Sequence, residues 1–321
     1  MNTTRNYGFW RALGGSLVGA LHWRVLLLWL VALGLIALVA AFPVWRALDG
    51  ALSNTVGAAA YAQALDAFAL VDLSRVLGKD ASVGFGVVVS GVLSVLLMPW
   101  LTGVMLAGIR LGKAGRLATI AGEGMREYGR QLRLMIWSLL PLGIALGLGA
   151  WWMNIASSHA DEAILASVAE RGQRWALIAA VLVFVLAHAG IELTRARIAV
   201  RDDTRSVIRA WWRSLMLYLR RPFAVLGLYL LTCVIGFAVV LGLAWLRTRV
   251  AGVNGVGLLL AVLGAQAVVA AMAWTRLARL RALAAVVLDD AQRRAAVVVE
   301  TTVVAVEEVR VVEAPVAAPV A

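Results

Sequence analysis

The sequence predicts an all-α membrane protein with six transmembrane helices, arranged as three hairpin units, and with amphipathic helices on the cytoplasmic surface. Three observations support this fold class: the composition, a set of charge-free apolar segments and the positions of tryptophan. Of the 321 residues, 62% are hydrophobic and 15% are charged, whereas soluble domains carry roughly 25% charged residues. A water-soluble core of this size cannot bury so many apolar side chains, so much of the surface must face lipid.

Six apolar segments are long enough to cross a bilayer, which takes roughly 20 residues. Each must be helical, because lipid offers the backbone no hydrogen bonds. Trp23 and Trp45 bracket the first segment and Trp274 closes the sixth, as expected for indole rings at the headgroup level. Trp29 and Trp100 fall inside segments and are predicted to pack between helices. The predicted spans cover residues 25–45, 83–108, 134–153, 174–194, 223–246 and 252–275.

The distribution of basic residues predicts the orientation. The N-terminus, the second and fourth loops and the C-terminal tail contain 23 of the 30 Lys and Arg residues. Cytoplasmic segments of membrane proteins are the basic ones, so both termini are predicted to lie in the cytoplasm, on the inner side of a bacterial-type inner membrane. The first span exceeds the h-region of a signal peptide and ends without a small-residue cleavage site, so we expect it to be retained.

Three regions are expected along the chain. Residues 1–24 form an amphipathic segment, residues 25–285 hold the six spans, and residues 286–321 form a disordered tail dominated by Val, Ala, Glu and Pro. An aromatic residue beside an Arg precedes the first, third and fifth spans. This faint repeat predicts three units, each an inner-surface helix followed by a helical hairpin, a pattern that suits transporters and scaffolds equally.

The second loop carries a basic helical face. Arg126, Arg130 and Arg133 are spaced four and three residues apart, which places them on one side of a helix. Because such charges flank apolar segments, they indicate a lipid bilayer with anionic phospholipid headgroups as the partner, and not nucleic acid. The sequence identifies no protein partner.

The fourth loop repeats this basic pattern. A turn and N-cap at residues 202–204 would start a helix that runs to about residue 219. Arg205, Arg209 and Arg213 would form one edge of it, beside an apolar face, as in an interfacial amphipathic helix. A loop helix that holds orientation without a specific ligand stays an alternative.

The best candidate for chemistry is a polar pair in the fourth span. His188 and Glu192 lie four residues apart, on one helical face near the cytoplasmic end, and Arg195 can neutralise Glu192 from the next turn. Ionisable residues at membrane depth are often functional. Near the headgroups, however, such residues can extend towards water or form ion pairs at small cost, so both a functional and a structural role stay open.

Catalytic and cofactor signatures are absent from the sequence. It contains no Gly-x-Ser-x-Gly, no phosphate-binding Gly-rich loop and no His-Glu-x-x-His. Cys233 is the single cysteine, which excludes an intrachain disulfide and a cysteine zinc site. We therefore expect no metal and no cofactor. In the third span, Gly143 and Gly147 predict a face where helices pack closely, within one chain or between two.

Four short stretches carry a resemblance to a known group. They are LTGVMLAGIR at 101–110, EYGRQLR at 127–133, TRARIA at 194–199 and RRPF at 220–223. Together they resemble a set of uncharacterised bacterial multipass membrane proteins over most of residues 9–285. The architecture is more distantly similar to the membrane domain attached to some glycerophosphodiester phosphodiesterases. The resemblance implies a six-helix bundle and no known activity, since the phosphodiesterase domain is missing here.

Three functional hypotheses follow. The first is a structural or accessory membrane protein that organises lipid or partner proteins through a basic inner surface. The second is a transporter or permease, for which the spans hold few polar residues. The third is a membrane-embedded enzyme acting on lipid, for which the sequence offers no convincing nucleophile. We rank them in that order, so a non-enzymatic role is favoured.

Overall fold

In the computed structural model, described over residues 8–53, 67–161, 165–200, 206–250 and 255–312, all regular secondary structure is helical. Long runs of apolar side chains explain the long helices, which contain Pro43, Pro99 and Pro141 in their interiors. Asp80 caps the helix that follows it by accepting a hydrogen bond from the Ser82 amide. The described helices are α1 Phe9–Gly19, α2 Trp23–Leu52, α3 Ala67–Lys79, α4 Ala81–Leu111, α5 Leu117–Arg126, α6 Tyr128–Asp161, α7 Ala166–Val200, α8 Val207–Arg220, α9 Pro222–Thr248 and α10 Gly255–Val312.

Six of the described helices (α2, α4, α6, α7, α9 and α10) are long and apolar enough to cross a membrane. In the most apolar 18-residue stretch of each of these helices, no more than 28% of the residues are buried inside the protein. The outward side chains of these stretches are mostly Leu, Val, Ile and Phe, which water would not solvate. The chain is therefore a multipass membrane protein.

Contacts at one end of the bundle show how these helices alternate in direction. The ring of His22, just before α2, is hydrogen-bonded at 2.8 Å to the carbonyl of Gly112, just after α4. Arg110 of α4 donates to the carbonyl oxygens of Ile198 and Ala199, near the end of α7. We call this end the basic end. The basic end contains the N-terminal ends of α2, α6 and α9 and the C-terminal ends of α4 and α7.

The packed core lies in the half of the bundle nearer the basic end. Three helix segments supply most of it: 101–107 of α4, 189–199 of α7 and 273–287 of α10. Leu101, Leu193 and Leu277 are each fully buried. Trp29 is 5% exposed and donates from its indole to the carbonyl of Leu101, and Trp100 donates to the carbonyl of Ala121. The prediction that these two tryptophans pack between helices is confirmed.

The C-terminal region differs from its prediction. Helix α10 continues to Val312, so the expectation of disorder from residue 286 is wrong over 286–312. No Pro lies between Gly255 and Pro315 to stop the helix, and Asp289 of α10 forms an ion pair of 2.6 Å with Arg221. Residues 313–321 of the predicted tail lie outside the described residues.

The sixth span also extends beyond its predicted limit at residue 275. Apolar residues resume after Arg276, and Val286 and Val287 are buried. Trp274, expected at the headgroup level, donates from its indole to the carbonyl of Leu17 in α1. The prediction failed because the span was ended at its first charged residue, whereas neighbouring helices accommodate that charge.

Gly143 and Gly147 do not pack against another described helix. Nothing lies within 4 Å of a Cβ built on either residue, and both are exposed. The close contact of α6 with α7 is made instead at Gly149, where a Cβ would lie 3.0 Å from the Cβ of Ala180. The prediction that Gly143 and Gly147 form a close contact between helices of one chain is therefore wrong within the described residues.

Candidate functional site

Glu192 lies at the centre of the bundle near the basic end. Its side chain is buried, with 0% exposure of the residue. Arg195, one turn later on α7, forms an ion pair with Oε1, and Arg279 of α10 places its Nε 3.5 Å from Oε2. The prediction that Arg195 neutralises Glu192 is confirmed. Of the two structural alternatives, Glu192 forms ion pairs and does not extend towards water, because helices α4, α9 and α10 surround this part of α7.

Helix α10 supplies two arginines that the sequence analysis did not assign to a site. Arg276 and Arg279 are three residues apart, so they share a face of the helix. Arg276 donates to the Thr102 hydroxyl at 3.1 Å, and its guanidinium lies 5.5 Å from the Trp29 ring centre. Arg279 stacks in the same way on Tyr229, at 5.3 Å. We call Arg195, Arg276, Arg279 and Glu192 the arginine cluster.

His188 borders the arginine cluster through Tyr229. The imidazole Nδ1 and the Tyr229 hydroxyl are hydrogen-bonded at 2.8 Å, and Phe184 stacks on the imidazole ring. Arg279 also donates to the Cys233 sulfur at 3.4 Å. His188 and Glu192 therefore belong to one network that joins α7, α9 and α10, and this network positions the guanidinium of Arg279.

The charges in this cluster do not balance. Three guanidinium groups surround one carboxylate among the side chains that the structure describes. Glu192 pairs with Arg195 and Arg279, whereas Arg276 meets only the Thr102 hydroxyl, the Met98 sulfur and an aromatic ring. Glu192 acts on Arg276 only from beyond ion-pair distance, and a buried cation without a carboxylate in direct contact is costly. The site is therefore suited to an anion.

A groove of about 630 Å³ opens beside the arginine cluster. Arg276 and Arg279 lie at one end of it, and mainly apolar side chains from α2, α4, α9 and α10 line the rest, including Val240 and Met272. Its outer edge is open, since Val234 and Phe237 are 63% and 65% exposed. Its volume is in the range of sites that hold small ligands.

The second loop places its arginines differently from the prediction. Helix α5 ends at Arg126 and α6 begins at Tyr128, so Arg126 does not share a helical face with Arg130 and Arg133. Arg126 and Arg133 are exposed. The side chain of Arg130 is 13% exposed and lies 3.9 Å from Glu127. The prediction of a single helical face is wrong, because one helix ends at Arg126 and another begins after Glu127.

The fourth loop also starts its helix later than expected. Ser206 caps α8 by accepting a hydrogen bond from the Arg209 amide, and residues 202–204, the predicted turn and cap, lie outside the described residues. Arg209 and Arg213 are exposed on α8, and Arg205 lies outside the described residues. We call six of the exposed arginines of this end the basic rim. Its members are Arg116, Arg126, Arg133, Arg209, Arg213 and Arg220.

A signal for the missed arginines was present in the sequence. Arg276 and Arg279 interrupt an apolar run that continues to Leu288, and intramembrane arginines with apolar residues on both sides mark sites in a bundle interior. The partners could not be foreseen, because they come from α2, α4, α7 and α9.

No protein-family model, curated protein or solved structure matches the chain. The resemblance seen in the four short stretches therefore stays a prediction. Within the described part of the chain, no group of three His, Cys, Asp or Glu side chains could hold a metal ion. The function is argued below from geometry and charge.

Proposed function

We propose that this chain organises anionic phospholipid, and through it lipid or protein partners, in a bacterial-type inner membrane with both termini in the cytoplasm. The observation that supports the proposal is the basic rim. Its arginines lie on helices that meet at one end of the bundle, where α4 and α7 end and α6 and α9 begin. A surface of this charge attracts the headgroups of the adjacent leaflet.

Helix α8 shows how the rim would contact a membrane surface. Arg209 and Arg213 are exposed on the same side as Ile208, Trp212 and Leu219, whose exposed fractions are 55%, 54% and 68%. Water alone would disfavour this mixture of exposed Trp, Leu and Arg. At a headgroup layer, the apolar side chains enter the acyl boundary while the guanidinium groups bind phosphate.

The same arrangement accompanies the other units. Trp10 of α1 is 74% exposed next to Arg11, and Met125 of α5 is 61% exposed next to Arg126. The most extensive contacts between helices join α2 with α4, α6 with α7 and α9 with α10. These contacts support three hairpin units, each preceded by a short helix at the membrane surface.

Electron spin resonance of reconstituted protein tests the proposal. Spin-labelled phosphatidylglycerol and phosphatidylcholine report which lipid occupies the first shell around the protein. We expect the wild-type protein to prefer phosphatidylglycerol, because each Arg near anionic lipid contributes about 1 kcal/mol. The double variant Arg209→Gln, Arg213→Gln should lose much of this preference, as should the wild-type protein in 1 M salt.

The matched control changes the same number of exposed arginines at the opposite end of α7. Arg171→Gln with Arg174→Gln removes two charges from an exposed segment far from the basic end. It should keep the preference of the wild-type protein. Equal loss in both double variants, or no loss in the rim variant, would contradict the proposal.

Transport is a second candidate, favoured by the arginine cluster. Charged and polar side chains from α4, α7, α9 and α10 converge inside the spans beside a groove, as a substrate site in a transporter requires. Flux of organic anions into proteoliposomes tests it. Flux above that of empty vesicles, lost in Arg276→Gln, would support transport, whereas flux equal to that of empty vesicles would reject it.

A further inference from the structure

The groove beside the arginine cluster has a polar end and an apolar end, in the order that a lipid of the rim-side leaflet would need. On α9, which runs away from the basic end, Cys233 comes before Val240. On α10, which runs towards it, Arg276 and Arg279 come after Met272. The arginines therefore lie nearer the rim, and the apolar lining continues towards the middle of the bilayer.

The depth of the arginines is compatible with a headgroup drawn into the groove. Thr102, which accepts a hydrogen bond from Arg276, precedes Arg110 by eight residues of α4, or about 12 Å along a helix. Arginines at such depth recruit phosphate by local thinning of the leaflet. The open edge at Val234 and Phe237 allows a lipid to enter sideways.

The uncompensated charge identifies the missing partner as an anion. Arg276 has no carboxylate within ion-pair distance among the described residues, and Glu192 is shared by two other guanidinium groups. The guanidinium fork matches a phosphate in geometry as well as in charge. A free anion would account for the arginines but not for the apolar length of the groove beyond them.

We propose that the groove between α2, α4, α9 and α10 is a binding site for one anionic phospholipid, with its phosphate on Arg276 and Arg279 and one acyl chain along Val240 and Met272. This lipid differs from the shell that the basic rim attracts. It is held inside the bundle by other arginines, so this site and the rim function can fail separately.

Native mass spectrometry of the full chain released from nanodiscs tests the site. Nanodiscs that contain phosphatidylglycerol and phosphatidylcholine in equal amounts offer both headgroups with the same acyl chains. We expect the wild-type protein to keep one phosphatidylglycerol after the shell lipids are removed. Arg276→Gln should reduce this retention roughly tenfold or more, because a charge-assisted hydrogen bond pair is lost.

Two further variants keep the test decisive if Arg276→Gln does not fold. Val240→Phe fills the apolar end of the groove without touching the cluster and should also release the lipid. Val239→Phe, which adds the same volume to the neighbouring side chain outside the groove lining, should retain it. The rim variant Arg209→Gln, Arg213→Gln should retain it as well.

Several results would overturn the site. Equal retention of the two lipids would mean an apolar groove without headgroup recognition, and retention unchanged in both Arg276→Gln and Val240→Phe would place the lipid elsewhere. Retention of a fatty acid, inorganic phosphate or a second copy of the chain in place of the phospholipid would also refute it. Loss of the spin-label preference in the rim variant, with the retained lipid unchanged, would support both proposals.

Discussion

At the scale of single residues, Glu192 is the side chain on which the interior depends most. It is the carboxylate that compensates Arg195 and Arg279 in a part of the bundle without exposure to water. Removing one partner of a buried ionic network leaves the others uncompensated. The cost therefore comes mainly from the charges that remain, and less from the lost contact itself.

We expect Glu192→Gln to lower the stability of the bundle by about 3–5 kcal/mol, the usual range for a buried ion pair that loses one partner. The thermal unfolding midpoint in detergent measures it. Glu170→Gln changes an exposed carboxylate of the same helix and should have almost no effect. Equal midpoints for the two variants would show that the arginine cluster does not need its carboxylate.

Tyr218 of α8 gives a pH-dependent prediction. Burial raises the pKa of its phenol to about 12, and its hydroxyl has no hydrogen-bond partner in the described structure. The unfolded chain has a pKa near 10, so the folded state keeps its proton more tightly and loses stability as the pH rises from about 10 to about 12. Tyr218→Phe should flatten this decline, measured as unfolding midpoints at pH 8 and pH 11. A decline unchanged in the variant would assign it to other groups.

At the scale of elements, the contact of α5 with α4 depends on the absence of side chains. A Cβ on Gly124 would lie 2.6 Å from Cγ2 of Val104 and 2.9 Å from its backbone nitrogen. The backbone of α4 cannot move away, because Leu101 and Met105 on the same helix are fully buried. Two helices approach this closely only where a glycine faces the contact.

Gly124→Ala should therefore destabilise the protein by about 1–3 kcal/mol, the usual cost of overpacking. Gly122→Ala is the control on the same helix, since nothing lies within 4 Å of a Cβ built there, and it should be neutral or slightly stabilising because Ala favours helix. Thermal unfolding of both variants measures the difference. If the two midpoints agree, α5 does not pack on α4 in the membrane.

At the scale of the whole molecule, the six spans alternate in direction, so the basic segments of the chain collect at one end of the bundle. The basic rim collects at one end, and Arg171 and Arg174 lie at the other, at the start of α7. Basic segments are retained in the cytoplasm during insertion. This difference between the two ends predicts that the basic rim faces the cytoplasm.

Single cysteines in a Cys233→Ala background test the orientation. Arg171→Cys should react with an impermeant maleimide in intact spheroplasts, whereas Arg126→Cys should react only after the membrane is opened. Both positions are exposed, so access to the reagent depends on the side of the membrane and not on burial. The reverse pattern would place the basic rim outside the cell. It would then contradict the proposal that the rim binds lipid of the cytoplasmic leaflet.

The sequence by itself determined the six long apolar helices, because each depends on a local run of side chains that must leave water and on a backbone that must satisfy itself in lipid. It also determined the pairing of Glu192 with Arg195, which one helical turn enforces. Tertiary structure alone decided that Arg276 and Arg279 join this pair, that the sixth span continues beyond them, and that a groove opens at their side. These features join residues of α2, α4, α7, α9 and α10. Charges that look like the end of a span along the chain lie in the interior of the bundle, because neighbouring helices surround them.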